Sequence, residues 1–369
     1  MTEWIECTLD KLGEIVGGAT PSTKCEDYYG GSIPWITPKD LSSFKGRYIT
    51  SGERNITEKG LASCSAQMMP KDAVLFTSRA PIGYVAIASQ SVCTNQGFKS
   101  IVVNEKADPL FVYYLLKYNK DAIEAMGSGT TFKEVSGKTM RAVKVRIPLD
   151  VSYQKRIAAV LDSLDTKIEN NERINDNLEL QAQAIYSYMF IENADPAWVQ
   201  GHLSDLITVK YGKDHKKLAD GSYPVYGSGG IMRYVERPLY DKESVLIPRK
   251  GTLNNVMYVN QPFWSVDTMF YTEMRLPNVA KFVYHFVKAK DLASMNAGSA
   301  VPSMTTDILN AMEVVIPSTS ALAEFESLVD PMYRAMQENN IQSSKLSELR
   351  DALLPKLMSG EIDVSDIQL

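Results

Sequence analysis

Ser136-Gly137-Lys138-Thr139 ends as a phosphate-binding loop ends, with a lysine for the phosphates and a hydroxyl for magnesium. Such a loop needs a glycine five residues before Gly137, and Phe132 stands there, so the backbone cradle is missing and nucleotide binding is not expected. Asn260-Gln261-Pro262-Phe263 is similar to the Asn-Pro-Pro-aromatic motif that holds a flipped base for amino-methylation, but Gln261 replaces the first proline. With no glycine-rich cofactor loop after a strand upstream, it reads as a loop entering a strand. Cys7, Cys25, Cys64 and Cys93 lie in the first quarter of the chain, and His202, His215 and His285 in the second half, without C-x-x-C or H-x-x-x-H spacing. Neither a metal site nor a disulfide framework is expected, and the thiols read as buried or idle. Serine, histidine and aspartate form no recognisable catalytic arrangement, and no helix pairs carboxylates over an apolar pocket. No catalytic residue and no cofactor of the chain's own are expected.

The elements that would position recognition residues are organised by an internal repeat. The chain has 369 residues, 44% hydrophobic and 22% charged, enough for two or three domains with cores of their own. No apolar run approaches the ~18 residues of a membrane span, and Met1-Thr2-Glu3-Trp4 lacks the basic and apolar regions of a signal peptide, so no membrane contact and a cytoplasmic location are expected. Trp4, Leu9 and Leu12 recur as Trp198, Leu203 and Leu206 at an offset of 194. Gly31-Ser32-Ile33-Pro34 faces Gly221-Ser222-Tyr223-Pro224 at 190, Lys71 to Leu75 faces Lys242 to Leu246 at 171, and Ile147-Pro148 faces Ile316-Pro317 at 169. The second copy has therefore lost loop residues while keeping its frame. Each copy opens with short β-branched runs punctuated by Gly and Pro, over 1–150 and 195–320. Val74-Leu75-Phe76, Tyr84 to Ala88 and Lys99 to Val103 read as strands, and Phe111 to Lys120 as a short helix, which predicts α+β domains.

The remaining segments, 151–194 and 321–369, read as long helices. Ile157, Leu161, Leu164, Ile168, Asn171, Asn175, Leu178, Ala182, Ile185 and Met189 follow alternating steps of four and three, a heptad seam. Moving 168 residues along gives Phe325, Val329, Met332, Met336, Asn339, Ser343, Leu346, Arg350, Leu353 and Leu357, where only Arg350 interrupts the stripe. Polar residues at matched seam steps cost stability but fix register, so the helices are expected to pack on each other as a coiled coil. A helix over 154–190 is roughly 55 Å long. Tandem copies each ending in such a helix reach a pseudo-twofold relation if the helices run antiparallel, and that arrangement is expected.

Two similar domains at a fixed separation suit a reader of two DNA half-sites. They equally suit a two-armed scaffold for protein partners, and the pattern alone leaves both open. The residues that decide are Trp4 with its leucine-rich opening, Gly17-Gly18-Ala19-Thr20-Pro21-Ser22, Gly30-Gly31-Ser32-Ile33-Pro34-Trp35-Ile36, Ser78-Arg79-Ala80-Pro81-Ile82-Gly83, Thr94-Asn95-Gln96-Gly97-Phe98, Ile147-Pro148, Gln154-Lys155-Arg156-Ile157 and Leu353 to Gly360. In this order, over nearly the whole chain, they resemble the specificity subunits of type I restriction-modification systems. The second copy departs from the first, with Tyr223-Pro224-Val225-Tyr226-Gly227-Ser228-Gly229-Gly230 in place of the Pro-Trp-Ile stretch. The family's two recognition domains need not match, so an asymmetric target is implied.

The resemblance implies a non-catalytic subunit whose globular domains each read half of a bipartite double-stranded DNA site. Two modification subunits would supply adenine methylation with S-adenosylmethionine, and restriction subunits would supply ATP-driven translocation and cleavage. A related system that cuts on both sides of its site, and a stand-alone methyltransferase, are the other readings to separate. The formal net charge of −5 places any phosphate contact in local patches. Base edges favour Arg, Lys, Asn and Gln, and phosphates favour Lys, Arg, Ser and Thr. Loop residues of these types are Thr20, Ser22, Lys24, Lys39, Lys45, Arg47, Ser78 and Arg79 in the first copy, and Lys210, Lys213, Lys216, Lys217, Tyr226, Ser228, Arg249, Lys250 and Asn254 in the second. Arg79 and Arg249 occupy nearly equivalent places and are the leading pair. Residues 154–192 carry seven acidic residues from Asp162 to Glu192 against Lys155, Arg156, Lys167 and Arg173, so the helices are expected to dock modification subunits, with the Trp4 and Trp198 regions, rather than DNA.

Overall fold

The computed structural model describes residues 2–79, 81–129, 133–295 and 303–367. Packing divides the chain into one unit of Met1–Arg173 with Asn340–Leu369, and a second of Ile174–Asn339. The division cuts both long helices, Val151–Ser187 and Thr319–Ser359, because each half-helix buries its apolar face against the domain beside it. A single turn of π-helix, Tyr188–Glu192, ends the first of them.

The first unit is built on a five-stranded sheet in the order Gly13–Gly17, Lys99–Val103, Val74–Ser78, Ile82–Ala88, Tyr48–Ile49. Val74–Ser78 is buried throughout, as a continuous apolar run in a sheet centre should be. The helix Pro109–Tyr118 starts where Asp108 accepts the Phe111 N–H at 2.9 Å and Pro109 presets the first turn. It buries Phe111 to Leu116 against the sheet, each large side chain contributing about 2 kcal/mol. Trp4–Thr8 pairs antiparallel with Lys144–Pro148, and Trp35–Ile36 pairs parallel with Cys93–Thr94. The chain's last segment returns to this unit: Asp363 accepts from the Tyr153 hydroxyl at 2.9 Å, and Gly360, at φ +78°, ends the last helix against the Trp4 ring.

The second unit repeats these parts at the offsets read from the sequence. Val199–His202 pairs with Glu313–Ile316, and Ile207–Tyr211, Met269–Met274 and Ser244–Pro248 lie side by side in that order as their counterparts do. The parallel pair recurs as Val225↔Trp264 and Tyr226↔Ser265, and the domain helix as Ala280–Lys288. The strands and helix expected at 74–76, 84–88, 99–103 and 111–120 are present, and the fold is α+β.

Within each unit the long helices run antiparallel. In the first, Asp165 meets Arg350 at 2.7 Å, and Asn171 donates to Gln342 at 2.9 Å and Ser343 at 3.1 Å. In the second, Asn339 donates to Asn175 at 2.9 Å, and the Tyr186 and Phe325 rings lie 6.2 Å apart. None of the sixteen seam residues Ile157, Leu161, Leu164, Ile168, Asn171, Leu178, Ile185, Met189, Phe325, Val329, Met332, Met336, Asn339, Leu346, Leu353 and Leu357 is on an exposed face. Arg350 does not break the seam but closes an ion pair across it.

A three-residue polar node joins each domain helix to both long helices. Tyr114 donates to Asp165 at 2.8 Å, and Asp165 also accepts from Arg350. The repeat offsets carry Tyr114 onto His285 and Asp165 onto Tyr333. His285 Nδ1 meets the Gln183 side-chain oxygen at 2.8 Å, and its Nε2 meets the Tyr333 hydroxyl at 2.9 Å. Because that oxygen only accepts, Nδ1 carries the proton and Nε2 accepts from Tyr333. Beside this node Lys281, fully buried, pairs with Glu243, Glu326 and Asp330. Burial alone would lower the Lys281 pKa, but the Glu326 hydrogen bond and surrounding carboxylates raise it, so the ammonium stays charged.

Candidate nucleic-acid interface

Loops at one end of each domain's sheet are tied together by backbone hydrogen bonds. In the first domain the Ala19 N–H donates to the Thr94 carbonyl at 3.0 Å, and the Trp35 indole donates to the Ala19 carbonyl at 3.0 Å. Gly18 must be glycine, since a Cβ there would stand 2.1 Å from the Asn95 carbonyl oxygen. The Ser78 N–H donates to Gly97 at 2.7 Å and the Val135 N–H to Ser78 at 2.9 Å. The loops starting at Gly18, Ser78, Asn95 and Lys133 are thereby gathered on one rim. Thr20 hydrogen-bonds Gln96 on this rim, Ser22 and Lys24 are exposed beside it, and Arg79 sits 3.8 Å from Glu134, which also faces Lys99 at 3.6 Å.

The second domain builds the same rim from different side chains. The Lys213 N–H donates to Ser265 at 2.8 Å in place of Ala19 to Thr94, and Gly212 replaces Gly18, with a Cβ 2.0 Å from the Val266 oxygen. The carbonyl of Lys213 is again capped by an indole, now Trp264 at 2.8 Å, which lies on the other strand of the parallel pair. Met304 N–H donates to Arg249 at 2.9 Å as Val135 does to Ser78. Arg249 donates to the Asp267 carbonyl at 3.1 Å and lies 5.5 Å over the Tyr211 ring. Asn255 ties Ser228 to this rim at 2.8 Å. Tyr226 accepts from Gln261 at 3.3 Å, and Lys216, Lys217 and Lys250 are exposed. Lys210 pairs with Glu273 at 3.4 Å on the adjoining strand, and Asn254 ties its loop to Asp291 at 3.0 Å.

Two residues expected as DNA contacts, Arg47 and Ser78, are buried, and Lys45 and Lys39 have carboxylate partners. Arg47 is 6% exposed; its guanidinium meets Asp162 at 2.9 Å, Thr166 at 2.9 Å and Glu169 at 3.2 Å on the central helix, so a solvent-facing role is replaced by a buried strap. Ser78 is fully buried and donates to Gly97, which keeps its hydroxyl from a base edge. Lys45 faces Glu172 at 3.6 Å on the same helix, and Lys39 faces Glu53 at 2.6 Å; both are exposed. The acidic face of the central helix is thus partly taken up by its own domain. The equivalence of Arg79 and Arg249 also shifts by one residue. Ser78 and Arg249 hold matching places, while Arg79 bridges to Glu134 as Lys250 bridges to Ser303.

The enzyme-like motifs have local structural uses. Ser136 caps the short helix Gly137–Ala142 by accepting from Thr139 at 3.0 Å, with Phe132 and Ala80 lying outside the described residues. Asn260 to Pro262 is a loop leading into Trp264–Ser265. Cys93 is buried and its thiol is pushed up to about 12 by desolvation. Among the described residues no cluster of His, Cys, Asp and Glu suits a metal ion, and no helix is long and apolar enough to cross a membrane. Trp4 and Trp198 pack inside their own units, against Tyr153 at 6.4 Å and Phe190 at 5.7 Å. Gln96, the two indole caps and Tyr211 belong to the rims, although the sequence names none of them as a DNA contact; the offsets align Ala19 with Lys213, the residues whose carbonyls the indoles cap, but not the indoles themselves.

The model of the type I restriction modification DNA specificity domain matches residues 1–180 and again 197–339. The chain is 31% identical over 410 residues to the MjaIX type I restriction enzyme specificity subunit of Methanocaldococcus jannaschii, covering 99% of this chain and 95% of that one. It is 23% identical over 353 residues to the EcoprrI specificity subunit of Escherichia coli, covering 89% and 86%. A crystal structure of a type I restriction-modification S subunit from M. genitalium superposes with a TM-score of 0.62 at 18% identity, covering 96% of each chain, so the fold is shared. The chain belongs to the type I restriction-modification specificity subunits, with one recognition domain in each repeat.

Proposed function

We propose that the chain reads a bipartite, asymmetric double-stranded DNA target without catalysing a reaction itself. Each rim reads one half-site, and the long helices set the gap. The observation that carries this reading is the pair of rims: the same backbone ties recur at the repeat offsets while the outward side chains differ, with Thr20, Gln96 and Arg79 on one and Lys213, Tyr226, Arg249 and Lys250 on the other. A common frame with unlike tips suits two half-sites of unlike sequence, and rim residues that contact bases discriminate by about 1–3 kcal/mol each. Modification subunits docked on the helices would bring S-adenosylmethionine and adenine methylation, and restriction subunits would bring ATP-driven translocation and cleavage. The acidic chain fits a complex in which partners supply much of the positive potential around DNA.

Co-expression with the neighbouring methyltransferase, followed by single-molecule sequencing of host DNA, tests the reading. One bipartite, asymmetric methylated motif that depends on this chain is expected. Methylation indifferent to the chain would favour a scaffold. Nuclease motifs in the partner chain would place it in a system that cuts on both sides of its site.

A further inference from the structure

The second rim carries an exposed apolar surface that its frame does not require. Asp220–Gly227 and Gly230–Val235 form a hairpin closed at Gly227↔Gly230, with Gly230 at φ +111° supplying the turn. The register jumps between Val225↔Arg233 and Tyr226↔Ile231, so Met232 is the extra residue of a bulge. Ile231 is 49% exposed, Met232 61% and Tyr234 49%, and Tyr211, under Arg249, is 53% exposed. The Met232 thioether lies over Gly227, where a Cβ would come within 2.5 Å of its sulfur. Val266 adjoins the same glycine, so Met232 stands beside the loop whose Asp267 carbonyl holds Arg249.

In the first domain Trp35–Ile36 pairs only with Cys93–Thr94 and leads into the capped helix Pro38–Ser42, where the second domain adds Gly230–Val235 as a third strand. The exposed apolar tip is therefore particular to the second rim. Gly212, beside Lys213, abuts Val266, Arg249 holds the Asp267 carbonyl, and Gly251, beside Lys250, abuts Ser228 of the hairpin turn, so Lys213, Arg249 and Lys250 flank the tip, a setting for a polyanion rather than for an apolar protein face. Among groove edges only thymine offers an apolar group, its methyl.

We propose that Ile231, Met232 and Tyr234 recognise thymine methyl groups in the half-site of the second domain, while the surrounding cations hold the backbone. The proposal rests on the DNA-reading function above. Its test uses the complex with modification subunits and synthetic duplexes of the mapped motif in which thymines are replaced by deoxyuridine, one half-site at a time. The second domain's half-site is the one relaxed by Arg249→Ala. Deoxyuridine there should weaken binding about two- to five-fold, the value of one methyl group leaving an apolar contact, and should do nothing in the other half-site. Met232→Ala should weaken binding to the thymine duplex by a similar factor and remove the deoxyuridine penalty. Because Met232 is exposed, this variant keeps its fold. A second half-site without an A·T pair, indifference to deoxyuridine there, or a full penalty in Met232→Ala overturns the proposal while leaving the reading of two half-sites intact. A complex that prefers no sequence overturns both.

Discussion

Where the first unit joins its domain helix to the long helices through a carboxylate and a guanidinium, the second uses an uncharged imidazole in the equivalent place. Tyr114, Asp165 and Arg350 on one side, and His285, Tyr333 and Gln183 on the other, link the same three elements at similar distances. The first node keeps its ions because each buried charge has a partner. The second keeps its imidazole neutral because burial lowers the His285 pKa to about 4, against a raising contribution from Glu179 and a further lowering one from Lys288. A repeat can thus preserve geometry while exchanging the physics that maintains it, and the two nodes should fail under different insults.

The largest effect is expected at the charged node. Arg350→Leu leaves Asp165 buried without its cation and should cost about 3–5 kcal/mol in denaturant unfolding, whereas Arg350→Leu with Asp165→Leu should recover most of the loss. The neutral node is the acid-sensitive one. Between about pH 6.5 and pH 4 the unfolded chain binds a proton at His285 that the folded chain refuses, so stability is complete above that window and falls as the pH drops through it. The loss should approach about 3 kcal/mol and appear in hydrogen exchange of Ala280–Lys288, and His285→Phe should flatten it. Equal acid sensitivity in Pro109–Tyr118 would contradict the contrast between nodes.

Smaller effects separate the rims. Trp264→Phe removes the donor to the Lys213 carbonyl and should cost about 1 kcal/mol, with Trp35→Phe costing the same in the first domain, both read as melting shifts of the complex-free chain. Lys39→Ala, at an exposed ion pair with Glu53, should leave the melting temperature unchanged.

Much of the frame was legible because it is local or periodic. The strands at Val74–Ser78 and Lys99–Val103 announce themselves as apolar runs, and the seam as steps of four and three. The first domain's helix is legible as the apolar run from Phe111, whereas the parallel strand pairs, of two residues each, are too short to announce themselves. What stayed hidden depends on partners far along the chain. Arg350 reads as a flaw in a stripe until Asp165, 185 positions earlier, is placed beside it. Arg47 reads as a loop cation until Asp162 and Glu169 meet it, and Ser78 as a loop hydroxyl until the strand buries it. The equivalence of Arg79 and Arg249 fails by one residue, which matters because successive strand side chains face opposite ways. Cap identity was hidden too, since the two indoles come from different strands of the same pair.

The central claim is that one frame carries two independent rims. It is tested most directly by mapping adenine methylation in cells that co-express the methyltransferase with the unaltered chain, Arg79→Ala or Arg249→Ala. The account predicts one bipartite motif, relaxed in one half by the first substitution and in the other half by the second, with the gap unchanged. Relaxation of the same half by both, or a motif untouched by either, would contradict it.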